Sequence, residues 1–236
     1  MTAPALDSRG WVVLATDTGV GKTVVSCALA RLLRENGIVP RVRKPVETGC
    51  EVRDGERQPA DGIALHEAAG GRELLATVCP IRYLTPVAAP EAAWREGEEL
   101  QFERDLAPIL DQSLAGLAED ERVIIESAGG LLSPLAEDAL NTRLAEHTGL
   151  PALLVTPDRL GTLSSTLSAV ESLQRRGISV AAIILNRRPQ DPSDADTPDN
   201  HRSLTEWLPR LVDEPPPVLR FETDPRHLTP LLDQNG

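Results

Sequence analysis

The sequence is short of basic residues: 24 Lys and Arg stand against 36 Asp and Glu, for a formal charge of -12. Phosphate backbones reward clustered Lys and Arg, so this balance argues against tracking along nucleic acid and for small-molecule partners. Cysteine is scarce too. Cys27, Cys50 and Cys79 form neither an even set nor the close pairs of a disulfide or zinc framework, which points to a reducing cytoplasm. Although 41% of residues are hydrophobic, no uninterrupted apolar run reaches the ~20 residues that cross a bilayer. Met1 to Arg9 lack a basic segment followed by an apolar stretch and a cleavage site, so no secretory signal is expected. The histidines, His66, His147, His201 and His227, share no motif and receive no role.

What is present is a rhythm. Short runs of Val, Ile and Leu alternate with amphipathic stretches long enough for helices, the pattern of a mostly parallel sheet with helices on both faces. Strands are expected at Trp11–Leu14, Val39–Lys44, Arg122–Ile125, Ala152–Val155 and Val180–Leu185. Their near-continuous apolarity implies burial on both faces. Helices are expected at Lys22–Asn36 with Gly37 as the stop, Glu103–Leu117, Leu140–Thr148 and Thr162–Arg176. The Asp- and Pro-rich stretch Gln190–Asn200 reads as an exposed loop. Nothing in the 236 residues requires more than one α/β domain across 1–236, and the run Gly19-Val20-Gly21-Lys22-Thr23 between the first strand and the first helix points to the P-loop NTPase type.

Strand Trp11–Leu14 runs into Ala15-Thr16-Asp17-Thr18-Gly19-Val20-Gly21-Lys22-Thr23, and Val24 continues into the first helix. Strand, glycine-containing loop and helix form the context of a nucleotide phosphate site. Backbone N–H groups of Thr18 to Val24 close around phosphate oxygens, Lys22 reaches the outer phosphates, and the Thr23 hydroxyl suits Mg²⁺. The first glycine of the ordinary Gly-x-x-x-x-Gly-Lys-[Ser/Thr] pattern is replaced by Thr16. A plain strand-to-helix turn would explain Gly19 and Gly21 but not Gly-Lys-Thr.

The second strand leads into Lys44-Pro45-Val46-Glu47-Thr48-Gly49, which puts a cation and a hydroxyl at the carboxyl edge, where parallel sheets bind ligands. Lys44 reads either as a site residue or as a solvated lysine at a strand end. Asp61 precedes a short helical stretch and reads as an N-cap or as a Mg²⁺ ligand. Glu126 follows Val123-Ile124-Ile125 directly, the place of a metal ligand or water organiser.

Together these segments resemble the dethiobiotin synthetase family. Thr16 to Thr23, Lys44 to Gly49, Asp61 and Glu126 to Gly130 occur in the family's order, and the matching pieces span Trp11 to Asn186. The resemblance implies a homodimer that uses ATP and Mg²⁺ to close the ureido ring of dethiobiotin from 7,8-diaminononanoate and CO₂, through a carbamate and a mixed carbamic-phosphoric anhydride. It further implies that Lys22 and Lys44 supply positive charge, that Thr23, Asp61 and Glu126 carry Mg²⁺, and that Thr18, Lys44 and Thr48 hold substrate. Ala89, within Pro86-Val87-Ala88-Ala89-Pro90, falls in the substrate loop, which also reads as a plain Pro-rich turn. By the same resemblance Gly161, Thr162 and Leu163 reach across the dimer to a substrate carboxylate, and Asn186 contacts adenine, although it also suits a turn. Three departures stand out: Ser127 replaces Gly, Ser164 occupies a position often held by Asn, and Pro217–Glu222 lacks the Gly-x-x-Pro segment that cups the base.

Two other readings share the fold. ParA- and MinD-type switch ATPases carry an extra lysine where this chain has Asp17. Cobyrinate-type amidating synthetases carry a glutaminase domain with a nucleophilic Cys, whereas about 50 residues without cysteine follow Asn186 here.

Overall fold

The computed structural model describes residues 9–187 and 198–232. Twelve strands are defined among them: β1 (Gly10–Ala15), β2 (Val39–Arg43), β3 (Val46–Thr48), β4 (Glu51–Arg53), β5 (Glu56–Gln58), β6 (Ile81–Tyr83), β7 (Glu121–Glu126), β8 (Pro134–Ala136), β9 (Ala139–Leu140), β10 (Ala152–Pro157), β11 (Val180–Asn186) and β12 (Val218–Phe221). The helices are α1 (Lys22–Glu35), α2 (Ala60–Ala68), α3 (Leu75–Val78), α4 (Ala89–Arg95), α5 (Ala107–Leu114), α6 (Arg143–Thr148), α7 (Thr162–Arg175) and α8 (Asn200–Leu211). None is long and apolar enough to cross a membrane.

Six strands form one parallel sheet in the order β12-β11-β10-β1-β7-β2. Because side chains alternate along a strand, β1 serves two cores at once. Trp11, Val13 and Ala15 join Val25, Leu29 and Leu33 of α1, Leu65 of α2 and Leu228 of the 3₁₀ segment Pro225–Leu231. On the opposite face, Val12 and Leu14 pack with Leu110 of α5, Leu144 of α6, Val170 of α7 and Leu204 of α8. The continuous apolar runs in the sequence are therefore two interleaved faces, each covered by helices. The three cysteines are free and buried.

The expected α/β sheet is observed, with adjustments at element ends. The helix anticipated at Glu103–Leu117 is a π-helical turn, Phe102–Leu106, followed by α5, because Pro108 has no N–H to continue an α-ladder from upstream. The helix anticipated from Leu140 starts at Arg143: Leu140 pairs with Pro134 in the β8–β9 hairpin, and Asn141 serves the loop described below. Strand β2 stops at Arg43, since the Lys44 amide turns to the Val78 carbonyl instead. The anticipated loop Gln190–Asn200 lies mostly outside the described residues, but Asn200 itself opens α8, capped by the Asp199 side chain on the Arg202 amide.

Leu14 is fully buried in the central strand. Replacing it with Ala removes contacts from one core while the facing layers relax only in part, so Leu14→Ala is expected to lower stability by about 2–5 kcal/mol. Urea unfolding checks this as a lower midpoint with an unchanged slope.

Candidate active site

The carboxyl ends of β1, β2 and β7 open side by side, and the segments that leave them line a cavity of about 700 Å³. Its wall is made by the loop Thr18–Val24, by Lys44, Glu47 and Thr48, by Asp61, by Pro86–Ala89 and by Ala128 and Gly129. The loop reaches its shape through Gly21, whose φ of +95° belongs to the left-handed region open to glycine. A Cβ at this position would also lie 2.1 Å from Asn186 Nδ2. Asn186 is buried at the end of β11 and donates to the Val20 carbonyl at 2.7 Å, which braces the loop from behind.

Lys44 is the centre of the polar contacts. Its ammonium donates to Glu126 Oε1 at 2.8 Å, to Asp61 Oδ2 at 3.0 Å and to the Ser127 carbonyl at 3.2 Å. The Thr23 hydroxyl donates to the same Glu126 oxygen at 2.8 Å. At 3% exposure Lys44 is not the solvated strand-end lysine its sequence position allowed. Asp61 is not the N-cap of α2 either; that position belongs to Pro59, and Asp61 lies within the first turn with its carboxylate turned to Lys44. Lys22 donates to the Gly129 carbonyl at 2.8 Å, tying the first loop to the segment after β7.

The two lysines experience opposite fields. Burial, reinforced by the neighbouring Lys44 charge, pushes the Lys22 ammonium down to about 8. Burial acts on Lys44 in the same sense, but Glu126 and then Asp61 outweigh it and hold its pKa above the ordinary lysine value. For Asp61, burial opposes the charge while Lys44 overcomes it, so the carboxyl sits below the ordinary aspartate range.

Glu126 Oε2 and Ser127 Oγ are buried without a hydrogen-bond partner among the described residues. An orphaned carboxylate oxygen is costly unless another donor or a cation meets it. With the Thr23 hydroxyl and the Asp61 carboxylate it forms a set of hard oxygen donors of the kind that suits Mg²⁺ when phosphate oxygens and water complete the shell. Among the described residues no group of three His, Cys, Asp or Glu converges as a metal cage.

Two contributors are absent from the residues singled out in the sequence. Asn141 accepts from the Ala128 amide at 3.1 Å and donates to the carbonyls of Ala128, Gly130 and Ser133, which locks the loop after Glu126. Its only sequence signal is that Asn readily bonds nearby backbone, and the expected helix masked it. Glu47 lies inside the Lys44–Gly49 segment without a role of its own, yet its carboxylate accepts from the Asp61 and Gly62 amides. Gly161, Thr162 and Leu163 do not line this cavity in the single chain; the Thr162 hydroxyl is buried and donates to the Pro157 carbonyl, while Leu163 borders a groove between α7 and α8.

Lys22 and Lys44 are the only lysines in the chain, so their side-chain NMR signals are free of lysine overlap. Titration of ¹⁵N-lysine protein is expected to give one midpoint near 8 for Lys22 and a charged Lys44 beyond the ordinary 10.5; two midpoints near 10.5 would refute the fields described. Between these values the unfolded chain keeps a proton that folded Lys22 has released, so Lys22 adds stability as pH rises from about 8 to 10.5. Lys44 acts oppositely: its stabilisation is complete below about 10.5 and declines above it.

A family model described as an AAA domain matches residues 9–212. The ATP-dependent dethiobiotin synthetase BioD of Anaeromyxobacter dehalogenans (strain 2CP-C) is 40% identical over 217 residues, covering 92% of each chain. Its namesake from Rhodopirellula baltica is 38% identical over 210 residues, 84% of this chain and 79% of that one. Among solved structures, a GTPase in apo form from Pyrococcus abyssi aligns with a TM-score of 0.50 at 17% identity over 97% of this chain and 98% of that one, a likeness of fold alone. With the loop, the Lys44 segment and Glu126 assembled at one sheet edge and relatives of this identity aligned along nearly its whole length, the chain belongs to the ATP-dependent dethiobiotin synthetase family.

Proposed function

We propose that the chain is an ATP- and Mg²⁺-dependent ligase that closes the ureido ring of dethiobiotin from 7,8-diaminononanoate and CO₂. The observation that carries this reading is the buried Lys44 ammonium, held by Glu126 and Asp61 in the same cavity as the phosphate loop. One substrate amine adds to CO₂ and loses a proton, giving a carbamate. A carbamate oxygen attacks the γ-phosphorus and ADP leaves. The second amine then attacks the carbonyl carbon of the mixed anhydride and expels phosphate, so the ring closes without a covalent enzyme intermediate.

The protein's task in such a sequence is positioning and charge neutralisation. Backbone amides of Gly19, Val20, Gly21 and the start of α1 hold the phosphates, and Lys22 leaves the Gly129 carbonyl for a phosphate oxygen. Lys44 faces the carbamate on one side and the γ-phosphate on the other. Thr18, Thr48 and Ala89 border the diamine, and Asn186 keeps its Oδ1 for the exocyclic amine of adenine while Nδ2 holds Val20. Thr23, Asp61 and Glu126 would hold Mg²⁺, which neutralises phosphate charge when bound.

The reading extends to a cytoplasmic homodimer made of two single-domain chains. Its support is the start of α7: first-turn amides of a helix lack intrahelical acceptors, and Leu160 beside them is 86% exposed, as suits contact with a second copy. There Gly161 to Leu163 would meet the substrate carboxylate of the partner. Three free, buried thiols agree with a reducing compartment. Neither the switch ATPase nor the amidating synthetase is favoured, given the family membership.

Phosphate release is expected only when Mg-ATP, bicarbonate and 7,8-diaminononanoate are all present; release that persists without the diamine would sink the assignment. Lys44→Gln keeps a donor beside Glu126 but removes the charge, and is expected to lower turnover by about 10²–10³-fold, the scale of losing one electrostatic contact to the transition state. Circular dichroism on the same preparation checks that unfolding stays cooperative.

A further inference from the structure

Helix α2 begins without a cap of its own. Pro59 occupies the N-cap position and offers no side-chain acceptor. The two amides that an N-cap side chain ordinarily satisfies, the second and third of the helix, are those of Asp61 and Gly62. Both go to Glu47 on β3: Oε1 accepts from Asp61 at 3.0 Å and Oε2 from Gly62 at 2.9 Å. Glu47 is 7% exposed and lines the cavity, yet both its oxygens are occupied by backbone amides.

The connection closes a ring. Lys44 and Glu47 belong to one short segment; Glu47 grips the Asp61 backbone, and the Asp61 carboxylate returns to the Lys44 ammonium at 3.0 Å. A second restraint acts on the same turn. A Cβ at Gly62 would lie 2.6 Å from Cys79 Cβ and 3.2 Å from Pro59, so the first turn of α2 is pressed against its neighbours. A carboxylate is also an unexpected choice beside Asp61, because like charges repel, and a local Ser or Thr cap would serve the helix without that cost.

We infer that Glu47 is a positioning residue: it fixes the backbone of Asp61 relative to the Lys44 segment, so that the Asp61 carboxylate meets Lys44 and the metal-bound nucleotide together. The inference rests on the role proposed above for Asp61. It assigns Glu47 no contact with substrate or metal.

Glu47→Gln retains the length but presents an NH₂ to one of the two amides. In the ligand-free protein, hydrogen exchange at the Asp61 and Gly62 amides is expected to speed up tenfold or more. The Mg²⁺ concentration for half-maximal phosphate release is expected to rise at least fivefold, with most of kcat recovered at saturating Mg²⁺. Adding Pro59→Ser supplies a local cap without the link to β3, so the urea midpoint should return while the Mg²⁺ requirement stays raised; this double variant also replaces Glu47→Gln if the single one does not fold. Restoration of both by Pro59→Ser would reduce Glu47 to a helix cap and overturn the inference. So would an unchanged Mg²⁺ requirement in Glu47→Gln where Asp61→Asn raises it. If Asp61→Asn leaves the requirement unchanged as well, the metal role of Asp61 falls and the inference falls with it.

Discussion

The buried ammonium of Lys44 is the constraint on which the rest of the site depends. Removing such a charge from water costs several kcal/mol even after relaxation, and it persists only where opposite charge and hydrogen bonds surround it. Its partners come from separate elements: Glu126 from the end of β7, Asp61 from the start of α2 and the Ser127 carbonyl from the loop beyond. Satisfying one side chain therefore sets the relative positions of three elements. Thr23, bonded to the same Glu126 oxygen, adds α1 and the phosphate loop to the assembly.

The two lysines divide the work by environment. Lys44 has two carboxylates in contact and stays charged, whereas Lys22 donates to a carbonyl at 2.8 Å and has a pKa drawn down to about 8. In the proposed function an arriving phosphate adds negative charge beside Lys22 and so raises the affinity of that amine for its proton. On that reading one cation is fixed by the fold and the other is completed by the ligand. The cradle behind them is rigid for an equally local reason: Asn186 and Asn141, both buried, spend their amides on the backbone of the two loops that face each other across Lys22.

The strands of the central sheet were legible in the sequence because burial on both faces leaves a continuous apolar run, and the observed β1, β7, β10 and β11 contain the runs expected for them. Helix beginnings were less legible where local chemistry competed with periodicity. Pro108 shifts the start of α5, and the β8–β9 hairpin takes Leu140 from the helix its apolar spacing allowed. The loop after β1 was readable because its glycines, Lys22 and Thr23 stand within a few consecutive residues between a strand and a helix. Lys44 and Asp61 remained divided between two readings, since a strand-end lysine and an aspartate near a helix start have ordinary explanations.

By itself the sequence determined the α/β class, the phosphate loop and the order of the charged segments, because each of these is written in contiguous residues and short periods. Only the tertiary structure decided that Lys44 is buried, that Asp61 turns to it instead of capping α2, and that Glu47 takes over the capping. These are contacts between residues 14 to 82 positions apart in the chain, where the partner of a charge depends on which strands lie side by side and not on what adjoins it in sequence.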